Sequence, residues 1–64
     1  MSLHDYQLSR EITKDDPPFY ALLMAAFRQA DSDNLAKLKA TFPKTYKEFL
    51  GRYNSPYGIL REEM

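Results

Sequence analysis

The segment FYALLMAAF, residues 19–27, is the longest apolar run in the 64-residue chain. At 100° per residue its large side chains cover an arc of roughly 200°, about twice the apolar stripe of an ordinary surface helix. We therefore predict a central helix with neighbours on most sides, part of whose arc remains for contact with a second copy of the chain. The residues of this candidate self-association face are Phe19, Tyr20, Leu22, Leu23, Met24 and Phe27.

Prolines and short polar clusters divide the rest of the chain into helix-length segments. They predict three main helices at about 17–30, 32–41 and 43–53, and a further N-terminal helix at about 3–14 with a sparser apolar pattern. No segment alternates polar and apolar residues, so no sheet is expected. The predicted fold class is all-α, a small helical bundle.

Capping residues stand at the predicted helix starts. Asp16 is expected to cap the helix at 17–30, because proline is tolerated in a first turn and an aspartate before it can accept from the free N–H groups. Asp31 or Ser32 is expected to cap the next helix, and Ser2 or Asp5 the N-terminal one. We expect capping and turn formation to account for most of the acidic residues near these breaks.

The last two main helices carry amphipathic patterns. The apolar positions of the first are Leu35, Leu38 and Phe42, and those of the second, which starts at Pro43, are Tyr46, Phe49, Leu50 and Tyr53. The second set has i, i+3, i+4, i+7 spacing and predicts a complete core face. Glu48 and Arg52 are spaced to form an i, i+4 ion pair on its outer side.

A turn and a short tail follow. In Ser-Pro-Tyr-Gly, residues 55–58, proline occupies the second position of a β-turn. Ile59 and Leu60 are expected to fold back over an end of the bundle. We predict a single domain over residues 1–64, in which 54–64 form the turn and tail and 1–3 are mobile or derive from an expression vector.

Composition excludes several classes of protein. The chain has no cysteine and a single histidine, His4, so it can form neither a disulfide nor an ordinary structural zinc site. No apolar run approaches the ~20 residues of a membrane span, and the N-terminus lacks the pattern of a secretory signal. We expect a cytoplasmic protein with no cofactor and no membrane association.

Motifs for catalysis or metal binding are incomplete. Asp31 and Asp33 begin like a calcium-binding EF-hand loop, but Leu35, Ala36 and Phe42 occupy its fifth, sixth and twelfth positions. The only glycines are Gly51 and Gly58, so there is no glycine-rich phosphate loop. We predict that the protein is not an enzyme and has no small-molecule substrate.

Charge is distributed unevenly in a chain whose net charge is zero. Residues 1–33 contain six acidic and three basic side chains, whereas residues 34–64 contain six basic and three acidic ones. A candidate face for nucleic acid or an acidic partner consists of Lys37, Lys44, Lys47 and Arg52. The same residues are also typical of a solvated helix face, and the pI of 6.5 is below the value of about 9 usual for nucleic-acid-binding domains.

The stretch ADSDNLAKLKATFPKTYKEFLGRYNSPYG, residues 30–58, resembles a class of small proteins encoded by bacteriophages, prophages and mobile elements. The shared pattern is A-D-S-D-N-L, then A-x-F-P, then R-Y-N-x-P-x-G. The resemblance implies an accessory or host-interaction role and no catalytic residues. The leading hypothesis is a non-enzymatic module that binds a protein partner or itself as a homodimer; the alternative is a nucleic-acid-binding protein of helix-turn-helix type.

Overall fold

The structure, a computed structural model, describes residues 2–60 and 62. Its helices are α1 (Leu3–Ile12), α2 (Phe19–Gln29), α3 (Ser32–Thr41) and α4 (Pro43–Tyr53), and a 3₁₀ turn follows at Pro56–Gly58. The described residues form no strand. The prediction of an all-α fold is confirmed. No helix in the described part of the chain is long and apolar enough to cross a membrane.

The start of α2 differs from the prediction. The helix begins at Phe19, and Asp16 is not its cap; Pro18 occupies that position with an extended ψ of 146° and no side-chain hydrogen bond. Asp16 instead has a positive φ of 52°, and its N–H donates to the carbonyl of Thr13 at 2.9 Å. The physical reason is the proline pair, because a residue that precedes proline is disfavoured in helical conformation and Pro17 therefore cannot start the helix.

The other helix starts agree with the predicted capping residues. The Ser2 hydroxyl accepts from the N–H of Asp5 at 3.1 Å at the start of α1. The carboxylate of Asp31 accepts from the N–H of Asn34 at 2.8 Å at the start of α3. Pro43 is the first residue of α4, where its missing N–H leaves no intrahelical bond unmade.

A small aromatic core joins α2 to α4. Its buried residues are Leu23, Phe27 and Phe49, and the partly buried side chains packed against them are Met24, Leu35, Leu38, Phe42 and Tyr46. The ring of Phe27, only 4% exposed, lies 5.3 Å from that of Phe49 and 5.4 Å from that of Tyr46. α3 closes one side of this cluster with its partly buried leucines.

The predicted core face of α4 is wrong at two positions. Leu50 and Tyr53 are exposed, although both fit the apolar spacing. Leu50 lies about 100° around the helix from Phe49 and about 40° beyond Tyr46, at the edge of the face that packs into the core. Tyr53 is in the last turn of α4, where its ring contacts Phe49 at 5.8 Å from one edge of the core.

The tail returns to α4 at Gly51. Leu60 is partly buried, and a Cβ atom added to Gly51 would lie 3.2 Å from its Cδ2. Ile59 remains exposed, so of the two tail residues only Leu60 covers the helix. Met1, at the predicted mobile N-terminus, and residues 61, 63 and 64 of the predicted tail lie outside the described part of the chain.

α1 adds length to the molecule without adding to the core. The principal dimensions are 42 × 28 × 16 Å and the radius of gyration is 13.5 Å, compared with about 11 Å for a compact domain of this length. The main contacts between elements join α4 to α2, to α3 and to the turn at residues 56–58. No residue of α1 is buried.

Candidate functional site

The first candidate surface is α1 itself. Its large apolar side chains are all exposed: Leu3, Tyr6, Leu8 and Ile12. Leu8 and Ile12 are one turn apart on one side of the helix, while Leu3 and Tyr6 lie on the other. α1 therefore presents two narrow apolar strips to its surroundings, neither of which is used by the core.

Helix α1 is well specified locally but has little support from the rest of the fold. It is capped by Ser2, with Asp5 in its first turn and Arg10 in its last, both in the orientation that the helix dipole favours. It contains only 10 residues, whereas an isolated helix shorter than about 12 to 15 residues is marginal in water. A surface on which α1 could pack would therefore stabilise it.

The start of α2 is the second exposed apolar area. Phe19 is 60% and Tyr20 58% exposed, and their rings meet edge-on at 5.3 Å. Phe19 also lies 6.3 Å from the ring of Phe42, which fixes it at the edge of the core. Two large aromatic rings are thus held in place on the surface.

The residues of the candidate self-association face differ in how far they are buried. Leu23 and Phe27 lie in the core, so these two residues cannot belong to a surface that meets another molecule in this fold. Leu22 and Met24 are partly buried, and only Phe19 and Tyr20 are largely exposed. The neighbours that bury Leu23 and Phe27 come from α3 and α4, which the apolar arc of α2 alone could not specify.

The basic residues predicted to form one face lie in several places. Lys37 borders a depression between α2 and α3, whereas Lys44 and Lys47 border another, together with Glu48 and Glu62. Arg52 forms the predicted ion pair with Glu48, Nε to Oε2 at 3.8 Å, and its Nη1 donates to the carbonyl of Gly58 at 3.0 Å. Lys37 and Arg52 thus border depressions other than the one that Lys44 and Lys47 share.

A cluster that the sequence patterns did not indicate lies where α2, the end of α4 and the following turn meet. The guanidinium carbon of Arg28 is 5.6 Å from the ring centre of Phe49 and 5.4 Å from that of Tyr53. Beside it, Tyr57 is 98% exposed and has a positive φ of 58°. The sequence offered one clue, a lone arginine in the last turn of a strongly apolar helix.

Acidic residues near the breaks between helices cap a helix or are exposed. Asp31 caps α3, and Asp15 and Asp16 are exposed in the turn before α2. His4 on α1 is also exposed. Within residues 2–60 and 62, no three side chains of histidine, cysteine, aspartate or glutamate come together in a group that could hold a metal ion.

Comparison of the chain with protein-family models, curated proteins and solved structures gives no match. The structure itself defines the class as a small all-α protein with a few buried aromatic and aliphatic side chains and several apolar side chains on its surface.

Proposed function

We propose that the protein is a non-enzymatic protein-interaction module that contacts its partner through α1 and the start of α2. The observation that carries the proposal is α1, a capped helix of 10 residues with no buried side chain. Since a helix of this length is marginal alone in water, packing its exposed leucine and isoleucine side chains against another protein would stabilise both the helix and the complex.

The exposed rings at the start of α2 support the same proposal. Aromatic side chains bring large apolar area to an interface and are frequent among the residues that dominate binding energy. Phe19 and Tyr20 are already positioned by contacts within the chain, so less side-chain entropy is lost when a partner covers them.

A second copy of the chain is the first partner to test. A two-fold dimer lets one apolar patch meet its own copy, and the protein would then show a concentration-dependent mass. We place this role in the cytoplasm and, from the resemblance of residues 30–58, among the accessory proteins of bacteriophages or other mobile elements.

The experiment compares α1 in the isolated chain and in the complex. In dilute protein we expect the amide protons of residues 3–12 to exchange with solvent almost as fast as in an unfolded chain, and those around Phe27 and Phe49 to be protected. Protection of α1 should rise with protein concentration if the partner is a second copy. Full protection of α1 in a dilute monomer would remove the physical basis of the proposal.

A pair of charge substitutions on α1 locates the contact. Ile12→Glu places a carboxylate on the strip shared with Leu8, whereas Gln7→Glu adds the same charge one turn from Leu3, so the pair tests which of the two apolar strips makes the contact. Sedimentation equilibrium should show that Ile12→Glu weakens self-association and that Gln7→Glu does not. If the mass stays at 7.5 kDa at all concentrations, the partner is a different protein, and the same two variants apply to affinity capture.

The alternative function, nucleic-acid binding, is supported by Lys44 and Lys47, which remain exposed on the outer side of α4. Binding that depends on phosphate contacts should fall steeply with salt. A titration with duplex DNA at low ionic strength tests it directly, and the absence of binding there would exclude this alternative.

A further inference from the structure

A shallow cleft of about 380 Å³ lies between α2, the end of α4 and the turn at residues 56–58. We call it the Arg28 cleft. The side chains that form it and bear on its chemistry are Met24, Arg28, Phe49, Arg52, Tyr53 and Tyr57. Among the residues that the structure describes, the lining holds two guanidinium groups, three aromatic rings and no carboxylate. In a chain of zero net charge, this cleft is locally cationic and aromatic.

The guanidinium of Arg28 is positioned but not neutralised. It lies over the rings of Phe49 and Tyr53, and contacts of this kind attract a cation without using its N–H donors. No carboxylate in the described part of the chain forms an ion pair with it. Arg28 therefore retains donors for an anionic group that enters the cleft.

Tyr57 has a backbone conformation that a smaller residue would adopt more easily than a tyrosine. It occupies the third position of the turn, which the N–H of Gly58 closes by donating to the carbonyl of Ser55 at 3.1 Å. Its φ of 58° is one that glycine or asparagine usually supplies at this position. The ring is 98% exposed and so adds almost nothing to the core.

The turn that carries Tyr57 is anchored to α4. Arg52 donates to the carbonyl of Gly58 at 3.0 Å, and the Ser55 hydroxyl donates to the carbonyl of Gly51 at 2.6 Å. These two bonds join the turn to the last turns of α4, so the backbone of Tyr57 has a defined position, and its side chain lines the same cleft as Tyr53. Backbone strain that the surroundings maintain in this way is frequent at binding sites.

We propose that the Arg28 cleft binds an acidic peptide segment of a partner protein, with a carboxylate on Arg28 and a neighbouring apolar side chain between Tyr53 and Tyr57. Charge complementarity selects an anionic occupant, because the described side chains of the lining include Arg28 and Arg52 and no acidic residue. The aromatic walls select an apolar group beside the charge. This site contains no residue of α1, so its test does not depend on the outcome for the proposed function.

A peptide fits the cleft better than a nucleic-acid strand. A strand is bound along a run of cations that follows its phosphates, whereas Lys37, Lys44 and Lys47 border other depressions. Arg52 is already engaged with Gly58 and Glu48. One positioned guanidinium beside two tyrosines matches a single carboxylate with one apolar neighbour.

The test is an NMR titration of the full-length chain at low ionic strength. The probe is acetyl-Asp-Phe-Asp-amide at up to millimolar concentration, and its matched control is acetyl-Asn-Phe-Asn-amide, which has the same shape without the charges. We expect saturable changes at the Arg28 side chain and at Tyr53, Tyr57 and Gly58 with the acidic peptide, and binding at least about fivefold weaker with the neutral one.

Three variants separate a binding role from a structural one. Arg28→Gln should weaken binding of the acidic peptide by about fivefold. Tyr57→Gly keeps a turn that suits glycine and removes only the ring, so it should weaken binding while the chain remains folded. Lys44→Gln removes a charge outside the cleft and should leave the affinity unchanged.

Several outcomes would overturn the proposal. These are the absence of localised changes at millimolar peptide, equal binding of the neutral peptide, or a loss of affinity in Lys44→Gln as large as that in Arg28→Gln. Tighter binding of single-stranded oligothymidylate at the same resonances would assign the cleft to nucleic acid. Changes at those resonances on dilution of the protein alone would assign it to a second copy of the chain.

Discussion

Helices α1 and α2 are of similar length but are stabilised by different means. α1 has a side-chain cap from Ser2 and an acidic residue, Asp5, in its first turn, yet buries nothing. α2 has no side-chain cap, yet buries Leu23 and Phe27. Capping contributes about 1 kcal/mol, whereas burial of a large apolar side chain contributes about 1.5 to 3 kcal/mol. The comparison shows that local signals can specify where a helix starts, and that packing decides whether it belongs to the core.

The largest expected effect is the difference in stability between a truncation in the core and a matching truncation in α1. Phe27→Ala should lower the free energy of unfolding by about 3 to 5 kcal/mol, at least about a third of the roughly 3 to 10 kcal/mol expected for a chain of this length. Ile12→Ala should change it by less than about 0.5 kcal/mol, because the side chain is already exposed. Urea denaturation followed by circular dichroism measures both values.

The control for this pair is the oligomeric state, since Ile12 belongs to the proposed interaction surface. Both variants should be measured at a concentration where the chain is monomeric. Equal losses of stability in the two variants would mean that α1 is packed on the rest of the molecule, and the contrast between the two helices would then be wrong.

An intermediate effect is expected from the two side-chain caps. Asp31→Ala removes the cap of α3, a helix that packs against the core, and should lower the free energy of unfolding by about 1 kcal/mol. Ser2→Ala removes the equivalent cap of α1 and should leave that free energy unchanged while reducing the helical Cα chemical shifts of residues 3–12. A loss of global stability in Ser2→Ala would contradict the separation of α1 from the core.

The smallest effect concerns the contact between the tail and α4. Gly51→Ala improves helix propensity by up to about 1 kcal/mol, but the new methyl group would lie 3.2 Å from Leu60 Cδ2. Because that atom is the end of a flexible side chain, we expect a net gain of about 0.5 kcal/mol. In a Leu60→Ala background the gain should be larger; an equal gain in both backgrounds would show that Leu60 does not restrict residue 51.

Much of the helix pattern could be read from capping residues and prolines. Asp31, Ser2 and Pro43 mark starts that the structure confirms, because these residues act on backbone groups within one turn. The prediction at Asp16 was wrong because Pro17 and Pro18 restrict the backbone more strongly than a carboxylate can favour a helix start.

The candidate sites were harder to predict because they depend on neighbours from distant parts of the chain. Apolar spacing alone could not separate the buried Leu23 from the exposed Tyr20, since both lie within the same arc of α2. Arg28 was missed for the same reason: its importance comes from Phe49 and Tyr53, which follow more than 20 residues later in the sequence.

The sequence by itself determined that the protein is all-helical and where most of its helices start, because hydrophobic spacing, prolines and capping residues act over three or four residues. Only the tertiary structure decided that Phe27 is enclosed and Phe19 exposed, that Lys37 and Lys44 border different depressions, and that two arginines and two tyrosines line one cleft. Those outcomes depend on which sides of α2 and α3 meet α4, and the free energy of such packing comes from side chains far apart in sequence.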